Sequence, residues 1–237
     1  MCGRFARASS VEHLISLIRG VLPDLMLDDS LLDIPSYNIP PSTQVVATGR
    51  SKPDHPHKLA LLKWGFVSSF VPDLKGPAPI NARSESVGTK PMFRKAFDRQ
   101  RCLILADGFY EWQRAGASKK PFFIRRRDRM PLAMAGIYDV WKGQKPALVS
   151  CAVLTTDAND VVRLIHDRMP VFIEPEDYAQ WCDSEHQGAE VFHLLKPYPA
   201  ELTEAYAVSP AVNSPRFNES ACIEPINEQP ESPTSMK

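Results

Sequence analysis

Arg101-Cys102-Leu103-Ile104-Leu105-Ala106-Asp107-Gly108-Phe109-Tyr110-Glu111-Trp112 is the stretch that decides the fold class. Residues 101–106 form a short apolar run stopped by Asp-Gly, and a run of that length before a turn signal reads as a buried strand. The same pattern recurs at 44–48, 58–64, 121–126, 132–138 and 147–155, each rich in Val, Ile, Leu or Phe and broken by Gly, Pro or Asp. A mainly antiparallel sheet follows. Helices are fewer. Ser9 with Glu12 makes a capping box ahead of the apolar stripe Val11, Leu14, Ile15 and Ile18, and Gly20 supplies the stop. Later, Asp157 is placed to cap a helix through Val161, Val162 and Leu164, and Pro175-Glu176-Asp177 opens another through Tyr178 and Trp181. The expectation is one α+β domain over residues 1–226, followed at 227–237 by a polar, Pro/Ser/Glu-rich tail whose composition predicts disorder.

With 237 residues, 43% hydrophobic and 24% charged, the chain can bury one substantial core. Five cysteines, at 2, 102, 151, 182 and 222, contain no C-x-x-C spacing and are odd in number. Neither a disulfide framework nor a zinc cluster is indicated, and no metal or organic cofactor is expected. No stretch approaches the roughly 20 apolar residues that span a membrane, so a soluble, cytoplasmic protein is expected. Net charge is formally zero, yet residues 83–129 carry a balance of +8 and residues 174–237 a balance of −9. One basic face would suit a phosphate backbone. Alternatively, Arg125-Arg126-Arg127 is a solvated strand edge whose charges discourage aggregation.

The second residue carries the most chemistry. Removal of Met1 leaves Cys2 with a free α-amine beside its thiol. An α-amine pKa of about 7.8 against about 10.4 for lysine leaves roughly 10% of the former neutral at pH 7, but about 0.04% of the latter. Such an amine condenses with an aldehyde. The imine carbon then lies one bond rotation from the thiol, and ring closure to a five-membered thiazolidine is intramolecular.

Four other segments offer polar groups in unusual settings. Ile80-Asn81-Ala82-Arg83-Ser84-Glu85 follows Pro77 and Pro79, and if extended it puts Asn81 and Arg83 on one face. The amide can hold a sugar hydroxyl or oxyanion, and Arg83 suits phosphate, although a polar surface loop has the same composition. Glu111, between Tyr110 and Trp112, would be partly desolvated and so serve as an acid/base near neutrality, unless strand alternation turns it outward. His166, between an apolar helix and the Pro170 strand, suits proton transfer, or merely caps backbone carbonyls. His55 and His57 read as solvated surface. Tyr37-Asn38-Ile39-Pro40-Pro41, Trp64-Gly65-Phe66 and Phe70 could stack on unpaired bases or belong to the core.

Taken in order, MCGRFA, YNIPPS, WGF, INARSE, ADGFYEW, IHDRMP and VSPAVN at 208–213 resemble the SRAP family of SOS response-associated peptidases, or abasic-site processing proteins, over nearly the whole chain. The resemblance implies a central, barrel-like antiparallel sheet and peripheral helices. It also implies a mature Cys2 that cross-links to abasic sites in single-stranded DNA during the DNA damage response. By the same implication Asn81 holds the N-terminal residue and the opened sugar, Arg4 and Arg83 contact phosphates, and Glu111 and His166 handle protons. Trp64, Phe70 and the Pro40-Pro41 loop would lie against flanking bases. Val67-Ser68-Ser69-Phe70 departs from a Pro and Trp common in relatives, which affects the detail of stacking but keeps one aromatic. The expected partner is single-stranded DNA containing abasic sites, with the replication machinery a further candidate, a monomeric chain, and a nucleoid association if the source is bacterial. Two alternatives stay open: a cysteine-type peptidase or N-terminal-nucleophile hydrolase, whose minimal act is removal of Met1, and a non-covalent reader of modified DNA.

Overall fold

Every residue of the strand β7 (Arg101–Ala106) is buried, because its two faces enter two different cores. Cys102, Ile104 and Ala106 face one apolar cluster, and Leu103 and Leu105 face another. That is why the run reads as continuously apolar rather than alternating. The structure, a computed structural model, describes residues 2–31, 33–50, 52–116 and 118–226; the expected tail at 227–237 lies outside them. In chain order the strands are β1 (Phe5–Arg7), β2 (Met26–Leu27), β3 (Ser36–Ile39), β4 (Gln44–Gly49), β5 (Lys58–Trp64), β6 (Asn81–Arg83) and then β7. Next come β8 (Gly108–Ala115), β9 (Ser118–Arg126), β10 (Leu132–Trp141), β11 (Leu148–Asp157), β12 (Arg168–Pro170), β13 (Phe172–Ile173) and β14 (Thr203–Ala207).

Five strands in the order β11-β10-β7-β4-β5 close into a barrel where β5 pairs with β11 in parallel, Ser150 opposite Lys63 and Cys151 opposite Trp64. The other pairings around the ring are antiparallel. A barrel this small is filled by its own side chains. At Gly136 a Cβ would come within 2.8 Å of Cys102 Sγ, so the interior is packed shut at that level. A second sheet, ordered β14-β9-β8-β1-β3, brings Phe5, Ile39, Phe109 and Ile124 into the interior cluster and so caps the barrel. The α+β class, the barrel-like sheet and the peripheral helices are as expected. No helix is long and apolar enough to cross a membrane among the described residues.

Helix ends differ in detail from the reading of the sequence. In α1 (Val11–Arg19) the N-cap is Ser10, whose side chain accepts from His13 N–H. Ser9 is instead bound to Asp107, Oγ to Oδ1 at 2.5 Å and amide to Oδ2 at 2.8 Å. Asp157 ends β11, and Asn159 caps the short α4 (Asp160–Arg163) by accepting from Val162 N–H. Two helices have no counterpart in that reading, α2 (Ser84–Val87) and α3 (Pro91–Arg99). A signal for α3 was present: Pro91 at its first turn and Phe93, Ala96 and Phe97 on one buried face. Pro175-Glu176-Asp177 forms a 3-10 turn that leads into α5 (Tyr178–Cys182).

Part of the charge asymmetry along the chain cancels in space. β9 pairs with β14, Arg125 opposite Glu204, and Arg125 Nε donates to Glu204 Oε2 at 2.8 Å. Arg126 binds Asp128 and Glu174, and Arg127 donates to the carbonyls of Glu201 and Thr203. The basic run thus meets the acidic late segment and is largely neutralised there. Arg101 is buried, donating to the carbonyls of Phe97, Asp98, Trp181, Asp183 and His186.

Candidate active site

The N-terminal segment lies across the capped end of the barrel. β1 pairs with β8, Phe5 opposite Phe109 and Ala6 opposite Gly108, and Tyr110 N–H donates to Arg4 C=O at 2.9 Å. On its other side β8 packs tightly on β9, which needs a residue without a side chain at 108, where a Cβ would fall 2.4 Å from the Phe123 ring. The register carries Cys2 to the neighbourhood of Glu111. Cys2 is fully buried, and its Sγ lies 3.8 Å from Arg4 C=O. Its own carbonyl accepts from Asn81 Nδ2 at 2.8 Å. Asn81 stands on β6, which pairs in parallel with β11, Asn81 opposite Val153, so a barrel strand fixes the amide. Asn81 Oδ1 is buried with no hydrogen-bond partner among the described residues.

The electrostatics follow from burial. Glu111 is 3% exposed, and desolvation pushes its carboxyl up to about 7. Near neutral pH it is divided between acid and base forms. Burial also pushes the Cys2 thiol far above its ordinary range, with the Glu111 carboxylate adding to the effect. The thiol is therefore protonated at physiological pH. His166 follows α4 in a turn, where its Nδ1 accepts from Arg168 N–H at 3.0 Å. Burial lowers the ring's pKa, and Asp167, 2.8 Å from Nδ1, opposes the shift. The turn is tied to β8 through Gln113 Nε2, which donates to Leu164 C=O at 2.7 Å.

Cys2, Asn81 and Glu111 are thus brought together, with the His166 turn beside them. Arg83 is exposed at the end of β6. Arg4 is half-buried and already committed: Nη1 donates to Asn38 Oδ1 at 2.6 Å and to Val212 C=O at 3.1 Å. Pro40 and Pro41 are partly exposed, and the turn after them is bound to the end of β5, Ser42 N–H to Trp64 C=O at 2.8 Å. Phe70 is 70% exposed in the loop spanning 65–80. Trp64 requires correction. It is 0% exposed, its Nε1 donates to Ile80 C=O at 2.9 Å and its ring lies 5.0 Å from that of Phe5. No face is open to a base; Trp64 props up the floor beneath Cys2 and Asn81. His57 is likewise buried, Nδ1 being 2.7 Å from Asp24 Oδ1, and is not solvated surface.

Two residues to which the sequence assigned no role organise the site. Arg168, 8% exposed, binds Glu85 through both Nη atoms at 2.7 and 3.0 Å, Asp157 at 2.7 Å and Thr155 C=O at 2.6 Å. It thereby joins α2, which follows Asn81 and Arg83, to the His166 turn. Asn38 Nδ2 donates to the carbonyls of Val212, Ser214 and Phe217, which gives the segment 208–213 its function of anchoring Asn38 and Arg4. The trace of Arg168 in the sequence is a cation placed directly before an apolar, Pro-containing strand, where a buried partner is required.

Similarity to known proteins agrees with this architecture. The family model for SOS response associated peptidase (SRAP) matches residues 1–215. The abasic site processing protein YoqW of Bacillus subtilis is 36% identical over 228 residues, covering 94% of this chain and 99% of that protein. The abasic site processing protein YedK of Escherichia coli is 30% identical over 229 residues, covering 95% and 100%. A crystal structure of a protein from Bacteroides thetaiotaomicron superposes with a TM-score of 0.81 at 24% identity, covering 95% of this chain and all of that one, which speaks for the fold. With the barrel, the capping sheet and a fully buried Cys2 held by Asn81 beside Glu111, the chain belongs to the SRAP family.

Proposed function

We propose that this chain processes abasic sites in single-stranded DNA by cross-linking to them through Cys2 once Met1 has been removed. The single observation that carries the reading is the clamp on Cys2: the Asn81 amide on its carbonyl at 2.8 Å, beside a Glu111 carboxyl tuned to about 7. Relatives at 30% and 36% identity that carry the name abasic site processing protein support it.

An abasic deoxyribose equilibrates with a ring-opened aldehyde. The neutral amine of Cys2 adds to C1′, and the carbinolamine loses one water as Glu111, in its acid form, protonates the departing hydroxyl. The thiol then adds to the imine carbon. Its proton reaches the nitrogen, directly or through the Glu111 carboxylate, and the thiazolidine closes with one water released overall. A high thiol pKa suits this order, because sulfur acts second and intramolecularly. It weighs against a cysteine peptidase, whose nucleophile must be a thiolate at working pH. His166 donates a proton to a sugar oxygen and assists reversal. Arg83 and Phe70 meet the strand on either side of the reacted nucleotide.

The test is incubation of Met1-free protein with a single-stranded oligonucleotide bearing one abasic site, followed by denaturing electrophoresis without borohydride. A retained protein–DNA band is expected. Its absence, on a substrate shown to be abasic by alkaline scission, overturns the proposal.

A further inference from the structure

The cations of residues 83–129 fall into two populations. Arg125 and Arg126 of β9 are paired with carboxylates, whereas no cation of α3 is, although Arg99 donates to the carbonyls of Ser184 and Glu185. The helix buries Phe93, Ala96 and Phe97 and leaves Lys90, Arg94, Lys95 and Arg99 exposed. Its one carboxylate, Asp98, is half-buried and accepts from Gly188 N–H at 3.3 Å. Among the described residues, Lys90, Arg94 and Lys95 enter no ion pair. This surface is continuous with the active site. Residues 65–80 leave the site at Trp64, return to it at Asn81, and hold Phe70 outward with Lys95 Nζ 4.8 Å from its ring centroid. At the other end of α3, Lys95 and Arg99 join Lys52 and Pro53 around a pocket of about 330 Å³. Its wall includes Ser184, which is 7% exposed and has a buried Oγ without a hydrogen-bond partner.

We propose that the outward face of α3 is a track for the DNA strand on one side of the abasic nucleotide, running from Arg83 past Lys90, Arg94 and Lys95 to a terminal phosphate subsite at Lys52, Arg99 and Ser184. Phe70 provides a platform for one base along the way, and Lys95 serves both the ring and the backbone. Nine helical residues extend about 13 Å, against about 3.4 Å per phosphate in a stacked strand, which gives room for a short run of phosphates. Single-stranded DNA fits better than an acidic protein because the cations line up with an exposed aromatic and begin at Arg83, two residues from the Asn81 that binds Cys2. The inference rests on the proposed function for the identity of the strand, and its test is separable from it.

Binding is measured with oligonucleotides that carry a tetrahydrofuran abasic analogue, which has no aldehyde and forms no cross-link. One carries a long 5′ flank only, the other a long 3′ flank only. Relative to wild type, Lys90→Ala/Arg94→Ala/Lys95→Ala is expected to lose ten-fold or more in affinity for one flank and less than two-fold for the other. The salt dependence on the sensitive flank should flatten by about 2 in log K against log salt, from about 0.7 per phosphate contact. Lys52→Ala should lose two- to three-fold, on that same flank. Equal losses on both flanks, or none on either, overturn the track. Cross-linking of the triple variant to a short abasic oligonucleotide should match wild type. If wild type itself fails to cross-link there, the proposed function fails while the binding comparison still stands.

Discussion

The barrel interior and its cap each bury cysteines completely, and only the cap surrounds the thiol with chemistry. Inside the barrel Cys102 and Cys151 lie among apolar side chains such as Ile104, Met134 and Val153, and burial raises both thiol pKa values, with the neighbouring thiols adding to the effect at Cys102. At the cap, Cys2 is as deeply buried, yet its backbone carbonyl is held by Asn81 and a carboxylate lies nearby. Burial by itself therefore yields an inert thiol. In the proposed reaction what sets Cys2 apart is the backbone: once Met1 is gone, its nitrogen would be an amine, and the polar groups gathered by β6 and β8 would address that amine and the carbon it attacks.

The comparison breaks most sharply at the cysteines themselves. Cys2→Ala should abolish the borohydride-independent adduct, leaving a reducible imine at most. Cys151→Ala should retain full cross-linking and lose only stability, through the small cavity it leaves. Equal cross-linking by both variants would erase the distinction between the two regions.

Glu111 is next in expected effect. Glu111→Gln preserves the shape and removes the proton, and should slow adduct formation by about 10²-fold, the lower range for general acid–base catalysis. Its stability should change in the opposite sense. The folded pKa, about 7, lies above the ordinary value of 4.5, so the stability linked to this carboxyl is fully present below pH 4.5 and is lost as pH rises through 7. The variant escapes that penalty, which approaches about 3 kcal/mol for a shift of this size. Melting curves at pH 5 and pH 8.5 should coincide more closely for Glu111→Gln than for wild type. A variant less stable than wild type at pH 8.5 would show Glu111 to be a structural residue.

Smaller effects sharpen the picture. Asn81→Ala removes one hydrogen bond to Cys2, worth about 1 kcal/mol, and should slow cross-linking by about five- to ten-fold with little change in strand affinity. A loss in affinity instead of rate would make Asn81 a DNA contact and not a clamp. His166→Ala should leave formation nearly intact and slow transfer of the adduct to a competing abasic strand, followed by pulse-chase electrophoresis. An unchanged release rate would return His166 to a packing role.

How much of this could be read from the sequence depends on the range of the interactions involved. The strands were legible because burial on two faces writes continuous apolar runs, and residues 101–106 and 147–155 map onto β7 and β11. Cys2, Asn81 and Glu111 stood out because each is a polar or reactive group in an apolar or constrained setting. Partnership across the chain was not legible. Arg125 and Glu204 are 79 residues apart, as are Arg101 and Trp181 nearly so at 80, and nothing local reveals that β14 lies beside β9. The +8 segment therefore read equally as one basic face or as a solvated strand edge, when tertiary pairing engages Arg125 and Arg126 and leaves Lys90, Arg94 and Lys95 exposed. Trp64 misled for a similar reason: an aromatic beside glycine fits a platform or a prop equally well, and only Ile80 and Phe5, brought in from elsewhere, decide for the prop.

The central claim is that one residue supplies both nucleophilic atoms, and the most direct measurement is the intact mass of the adduct. Wild-type protein reacted with an abasic single strand and left unreduced should appear at the mass of the chain lacking Met1, plus the oligonucleotide, less one water. An adduct on a chain that retains Met1, or one detected only after borohydride, would contradict the account.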